Sequence, residues 1–475
     1  MGTEEMIHKL RIQKFKGWKN TGTIRIAPLT LLYGANSSGK SSIGQFLMML
    51  KQTVESPDRN AVFNPGDKQA AVQLGSYQEM VFRRNPENQI AFEYQWSLPE
   101  TFQIKDPISG RSFSGSKLNF EAEVGLGRDP HTPVLDHLHY ELVEDKAVAL
   151  SIGMTRRSKA TSEYSVDVSN YPIRRKPGRV WYPEAPVRFY GFPDEVIFYH
   201  QNAEFVQEFN LRHENLFRSL FYLGPLRTKP ERLYSWTGMA PESVGCAGEN
   251  TIAAILAARN RKISLGYKRP AKPFETILAS KLKEMELIEA FSLNPITEQR
   301  REYEVQVRTK GSGDWVDLPD VGFGITQVLP VLVQCFYAPR GSTIIMEQPE
   351  IHLHPGAQSA LADVMIDVIH SRENSADRNI QLVIETHSEH FLRRLQRRIA
   401  EDIISQQKIS AYFANITKGP PVLEPLQFDL FGNITNWPEH FFGDMEDITQ
   451  HAKAAMKKRM QQKWPNGSGP NVFNR

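Results

Sequence analysis

The stretch Gly34-Ala35-Asn36-Ser37-Ser38-Gly39-Lys40-Ser41 decides the fold. It matches G-x-x-x-x-G-K-[ST] where an apolar strand hands over to a helix. Gly34 and Gly39 let the backbone fold tightly enough for successive N–H groups to point at phosphates, and the helix opening near Lys40 adds its positive dipole end. Lys40 is expected to reach the β- and γ-phosphates of a nucleoside triphosphate, and the Ser41 hydroxyl to hold Mg²⁺. The flanks agree: Leu29-Thr30-Leu31-Leu32-Tyr33 reads as a buried strand, while Ile43, Phe46, Leu47 and Leu50 recur at helical spacing.

Downstream, three groups supply the rest of a nucleotide site. Thr343-Ile344-Ile345-Met346 is a buried-strand run ending in Glu347-Gln348-Pro349-Glu350, which puts an acid where a Walker B carboxylate supports Mg²⁺, in part through water. Leu382-Val383-Ile384-Glu385-Thr386-His387-Ser388 repeats that design with a histidine just past the strand. Asp320-Val321-Gly322-Phe323-Gly324-Ile325-Thr326-Gln327 is a glycine-bearing turn opening an apolar helix, whose N-terminus suits a phosphate.

This order resembles the ATP-binding-cassette class of ATPases, and more closely the stand-alone bacterial ATPases of the RecF-like, SMC-like and overcoming-lysogenisation-defect kind. The residues that carry the likeness are Phe15-Lys16-Gly17, Asn36 to Ser41, Glu347 to Pro355 and Glu385 to Ser388, strongest over about residues 8–82 and 320–400. Tyr222 to Arg227 and Asn436 to Phe442 resemble a subgroup with a small C-terminal domain of unknown function. The resemblance implies that Gly34, Asn36, Ser37, Ser38, Gly39, Lys40, Ser41 and Ser42 bind ATP. Ser41 and Glu347 are implied to hold Mg²⁺, and His387 to touch the γ-phosphate. It also implies that Gly322, Gly324 and Gln327 complete the pocket of a second copy in a head-to-tail dimer, and that a glutamine, Gln73 or Gln78, follows the first lobe. Gln348 stands where these ATPases usually carry a catalytic glutamate, so hydrolysis is expected to be slow, or Glu350 or Glu385 to stand in. Similarity to the ATPase subunits of two-component anti-phage systems such as PARIS and Septu implies a sensor or switch acting on a separate effector. Relatives with a Toprim nuclease need a longer tail after His387, so any nuclease is expected on another protein. A scaffold that ATP cements without hydrolysis, and a RecF-like DNA clamp, are the alternatives.

Bulk properties fit that reading. The 475 residues carry 57 basic and 54 acidic side chains, a net charge of +3, so no global field marks a nucleic-acid or membrane protein. With Cys246 and Cys335 far apart, neither a disulfide framework nor a zinc site is supported. The N-terminus lacks a signal pattern, and the greasiest run, about Val328 to Ala338, is too short to span a bilayer. A cytoplasmic protein is expected.

The expected fold is α/β, an ATPase head built from two sequence-distant lobes. Residues 1–82 form lobe I, 83–200 a β-rich insertion, 201–310 a helical and basic connector region, 311–425 lobe II and 426–475 a small C-terminal region with a disordered tail over Trp464 to Pro470. Helices are expected at about Ala203 to Phe221 and Phe274 to Ala290, and antiparallel sheet between Gln73 and Tyr199. Arg259, Arg261, Lys262, Lys268 and Arg269 form a dense basic run, with a solvated connector and phosphate-backbone contact both open. Arg393 and Arg397 read as a solvated helix face or a partner contact. His352 and His354 read as a structural turn or a metal pair, and Arg227 as a phosphate contact or a buried ion-pair partner.

Overall fold

The structure, a computed structural model, describes residues 5–441 apart from 130, 159–160, 179–181, 298–300, 310, 312, 417–418 and 439–440. The tail expected over Trp464 to Pro470 lies outside the described residues, as does most of the C-terminal region.

The fold is α/β. Five apolar runs, Leu220–Leu223, Thr343–Glu347, Gln381–Glu385, Leu29–Gly34 and Ile409–Asn415, lie side by side in that order as parallel strands, and Val422–Leu426 closes the edge antiparallel. Parallel strands bury both faces, and the residues divide accordingly. Leu32, Ile345 and Val383 enter one core, whereas Leu29, Leu31, Ile344, Met346, Leu382 and Ile384 enter the other. The first core also takes the helix Lys40–Glu55 through Ile43, Phe46, Leu47 and Leu50. The second takes the helices Phe323–Tyr337 and Pro355–His370.

A second, antiparallel sheet runs Trp18–Asn20, Met6–Phe15, Ile90–Lys105, Ser112–Leu126, Pro133–Glu144, Ala147–Arg156 and Tyr164–Ser169. The segment Gln73 to Tyr199 therefore carries antiparallel sheet, five strands between Ile90 and Ser169, and its first long strand pairs with Met6–Phe15. Its inner face meets the helix Phe205–Arg218, where His213 is buried between the hydroxyls of Tyr94 at 2.6 Å and Tyr140 at 2.8 Å. Burial holds that imidazole neutral, well below the usual histidine range.

Two expected helices end earlier than the periodicity suggests. The one begun near Ala203 stops at Arg218, because Leu220–Leu223 pairs with Thr343–Glu347. The one begun at Phe274 stops at Glu284, and Ala290–Pro295 is strand. The basic run is no free connector either. Its Lys262–Ser264 pairs with Lys272–Pro273, and acids from elsewhere offset its charge: Arg259 meets Glu275 and Arg261 forks onto Glu373 at 2.9 and 2.8 Å. Arg269 lies 3.5 Å from Asp367, whereas Lys262 and Lys268 are exposed. Arg393 and Arg397 pair along their own helix with Glu389 and Glu401. Both cysteines are free thiols. Among the described residues no helix is long and apolar enough to cross a membrane.

Candidate nucleotide site

Parallel α/β sheets bind ligands beyond the carboxyl ends of their strands, and there the candidate residues gather. Glu347 and Glu385 are direct cross-strand neighbours, and the phosphate-loop strand lies on the far side of Glu385. A cavity of about 540 Å³ opens beside Glu385, lined also by Lys16, Gly17, Asn36 to Ser42, Gln45, Gln348, His387 and Pro421, while Glu347, just before Gln348 in sequence, does not line it.

The loop is shaped as a phosphate cradle. Gly39 caps the helix Lys40–Glu55 in the left-handed region, with no side chain covering the first-turn N–H groups. The indole N–H of Trp18 donates to the Gly39 carbonyl at 2.9 Å and to the Ser42 hydroxyl at 3.0 Å. Ser42 therefore lines the cavity with its hydroxyl already engaged. Gly34 has φ near +140°, and a Cβ there would meet the Ala414 carbonyl at 2.5 Å, so strand pairing with Ile409–Asn415 demands glycine.

Lys40 is 3% exposed and turned onto its own loop, donating to the carbonyls of Gly34 at 3.0 Å and Ala35 at 2.7 Å. Glu385 Oε1 stands 3.8 Å from its Nζ, and Ser41 and Lys40 both favour the charged form of that carboxyl. Tyr222 OH donates to Glu347 Oε1 at 2.7 Å. Burial raises Glu347 to about 7, the Tyr222 hydrogen bond working against that rise and Glu385 adding to it. Glu350 and Glu385 are likewise raised by burial. His387 is lowered, by burial first and then by Lys40, so its imidazole is neutral at neutral pH.

The remaining expected residues divide by geometry. Glu350 Oε1 accepts from Thr386 Oγ1 at 2.7 Å and from the His387 backbone N–H at 2.8 Å, which ties the acid turn to the histidine turn. Gln348 sits in the left-handed region, φ 45°, its N–H donating to the Glu385 carbonyl at 2.8 Å. It lines both the phosphate cavity and an adjoining one with Asn36, Glu350 and His387. Gly322, Gly324 and Gln327 do not line the cavity of their own chain. Their helix opens beside the His352 turn, with Phe323 71% exposed. Neither Gln73 nor Gln78 lines the cavity; both are exposed, and beside Gln348 it is Gln45 that does, held by Lys16 at 2.6 Å. His354 caps the helix Pro355–His370 and His352 packs against Phe323, so both serve the turn. Trp18, Gln45, Tyr222 and Pro421 went unforeseen; the aromatic ring just after Lys16-Gly17 was their nearest local signal.

The donor set suits Mg²⁺. Ser41, Glu347 and Glu385 offer oxygen only, the ligand type a hard divalent cation takes, and Glu385 Oε2 is buried without a hydrogen-bond partner. A pH dependence follows from Glu347. Its folded pKa of about 7 lies above the ordinary carboxylate value, so its contribution to metal-free stability is full in acid and lost as pH rises through about 7. Mg²⁺ demands the carboxylate, so Mg²⁺–nucleotide affinity is expected to rise from about pH 6 to about pH 8, with a proton released at the lower pH. Calorimetry in buffers of different ionisation heat checks this; a slope that persists in Glu347→Gln would assign it elsewhere.

No functionally curated protein matches the sequence. Among solved structures the chain is similar to an SMC head bound to the C-terminal winged-helix domain of ScpA, at 13% identity and TM-score 0.42, over 89% of this chain and 98% of that one. It is also similar to the SMC head domain from Thermotoga maritima, at 11% identity and TM-score 0.38, over 89% and 99%. The Pyrococcus furiosus Smc head domain with an extended coiled coil, bound to the C-terminal domain of ScpA, aligns at 10% identity and TM-score 0.39, over 89% and 96%. At these values the likeness adds nothing to the fold already described. A family given as "Protein of unknown function (DUF3696)" matches residues 404–450. Its described part supplies the two closing strands of the parallel sheet and Pro421 in the cavity wall. The family given as "AAA domain, putative AbiEii toxin, Type IV TA system" matches residues 29–393, which include the phosphate loop, both acidic strand ends and His387, and the chain belongs to it as a P-loop ATPase.

Proposed function

We propose that this ATPase hydrolyses ATP slowly and uses the long-lived ATP state as a switch, controlling a separate effector in anti-phage defence in the cytoplasm. The observation that carries the reading is Gln348. It is an amide, held at the cavity in the position after the Glu347 acid, and Glu350 beside it gives its Oε1 to Thr386 and His387. An amide orients a water molecule by hydrogen bonding but does not accept its proton.

In this reading Lys40 leaves the Gly34 and Ala35 carbonyls for the β- and γ-phosphates, the first-turn N–H groups hold the phosphate oxygens, and neutral His387 contacts the γ-phosphate. Ser41 and Glu347 would hold Mg²⁺, which neutralises phosphate charge when bound. Gly322, Gly324 and Gln327, which do not line their own cavity, would meet the nucleotide of a second copy, so that ATP joins two chains head to tail. Exposed Phe323 beside them gives that face an apolar contact. A family description that names a toxin–antitoxin system supports action together with another component. DNA is left out of the proposal, because Arg259, Arg261, Arg393 and Arg397 are paired with acids.

The test is steady-state phosphate release with particle mass by light scattering in ATP and in ADP, using Lys40→Ala as the blank. Slow turnover above the blank with a larger particle in ATP is expected. Fast turnover with no change of mass would sink the switch reading.

A further inference from the structure

The run Tyr222-Leu223-Gly224-Pro225-Leu226-Arg227 takes no part in nucleotide binding as proposed, yet two of its side chains reach the acid turn. Tyr222 meets the Glu347 carboxylate, as described. Arg227, 8% exposed, reaches the backbone: Nη2 donates to the Glu347 carbonyl at 3.2 Å, and Nη1 to the Gln348 carbonyl at 3.4 Å and to the Pro225 carbonyl at 3.2 Å. Arg227 lines neither cavity at which Gln348 is found. A phosphate contact from this buried fork is therefore set aside, and its hydrogen-bonded partners are carbonyls.

The backbone of Gln348 is pinned from both sides. Its N–H is held by the Glu385 carbonyl at 2.8 Å, and its C=O by Arg227. Between those bonds it keeps a left-handed conformation that a residue with a side chain seldom adopts unless its surroundings impose it. The segment carrying Arg227 is anchored again further on, where Arg232 forks onto Asp320 at 2.8 Å through each nitrogen and reaches Asp317 at 3.1 Å.

We propose that Arg227 is a positioning residue for hydrolysis: its guanidinium fixes the Glu347–Gln348 turn so that the Gln348 amide faces the water that attacks the γ-phosphate. This rests on the ATPase reading above. A planar fork bonded to two successive carbonyls does what a lysine ammonium at the same place does not, since lysine keeps the charge and loses the two-pronged geometry.

Arg227→Lys therefore separates position from charge. Expected are unchanged ATP affinity, measured with a fluorescent ATP analogue, and turnover about tenfold lower, the scale on which small misplacements act. In a double-mutant cycle with Gln348→Ala, Arg227→Lys is expected to add no further loss, because it acts through Gln348. A purely structural role would give additive losses and a lower melting temperature. Additive losses, unchanged turnover in Arg227→Lys, or a loss of ATP affinity matching the loss of turnover each overturn the proposal. If Arg227→Lys does not fold, Arg227→Gln, which retains one amide donor, takes its place in the same cycle. Wild-type turnover no higher than the Lys40→Ala blank would overturn the ATPase reading itself, and this inference with it.

Discussion

Lys40→Ala is expected to abolish measurable ATP binding while the protein stays folded. The ammonium is buried and takes its partners from its own loop, the Gly34 and Ala35 carbonyls and, at 3.4 Å, Ser38 Oγ, with Glu385 nearby. Burial lowers its pKa, with Glu385 opposing the fall. Removing one member of a buried, charge-assisted pair costs binding about 2–5 kcal/mol, or roughly thirtyfold to several thousandfold in affinity. The fold does not rely on this side chain, because the helix Lys40–Glu55 is held by Ile43, Phe46, Leu47 and Leu50 in the first core. Titration with a fluorescent ATP analogue, alongside the thermal shift that Mg²⁺–ATP gives the wild type, checks both halves. Wild-type affinity in a folded variant would remove Lys40 from the site, and the proposed function with it.

What the sequence revealed was local. The phosphate loop, the apolar strands ending in Glu347 and Glu385, and the alternating runs between Gln73 and Tyr199 each carry their signal within about ten residues, the span over which periodicity and turn chemistry act. What it hid was pairing across distance. That Glu347 and Glu385 are side by side is a matter of strand order, and nothing within either run states it. The dense basic charge of Arg259 to Lys272 reads as unpaired only because its acids lie far along the chain, Glu373 being 112 residues from Arg261. Leu220 and Phe221 fall within the expected helix because a short apolar run suits either period; the neighbouring strand Thr343–Glu347 decides the matter. Gln45 escaped for a related reason. It sits on the helix face turned to the cavity, a direction fixed by Lys16 and Trp18 from a different strand pair, while Gln73 and Gln78, nearer the expected place in sequence, are exposed.

Gln348→Glu is expected to raise turnover by about ten- to a hundredfold at unchanged ATP affinity. A positioned general base contributes roughly 10²–10⁴-fold, and the backbone conformation that presents the residue is already in place, so the substitution changes chemistry while keeping geometry. The gain should fall toward the lower end. The introduced carboxylate would join a site where burial already lifts Glu347, Glu350 and Glu385, and a fourth carboxyl group among them would hold its own proton more tightly. The same argument gives the sign of the pH dependence. A base must be ionised to act, so the advantage over wild type should be smallest in acid and grow as pH rises through neutrality. In the wild type the amide has nothing to ionise, and any pH slope there belongs to the acids that support Mg²⁺. Phosphate release by both proteins across that range, at saturating Mg²⁺–ATP, separates the two contributions. Equal turnover at every pH, with both proteins folded and binding ATP, would mean that the attacking water is not held by Gln348. Accelerated turnover together with a shorter-lived ATP-bound assembly would tie the glutamine to persistence of the ATP state, and so give a physical reason for an amide at this position in a switch.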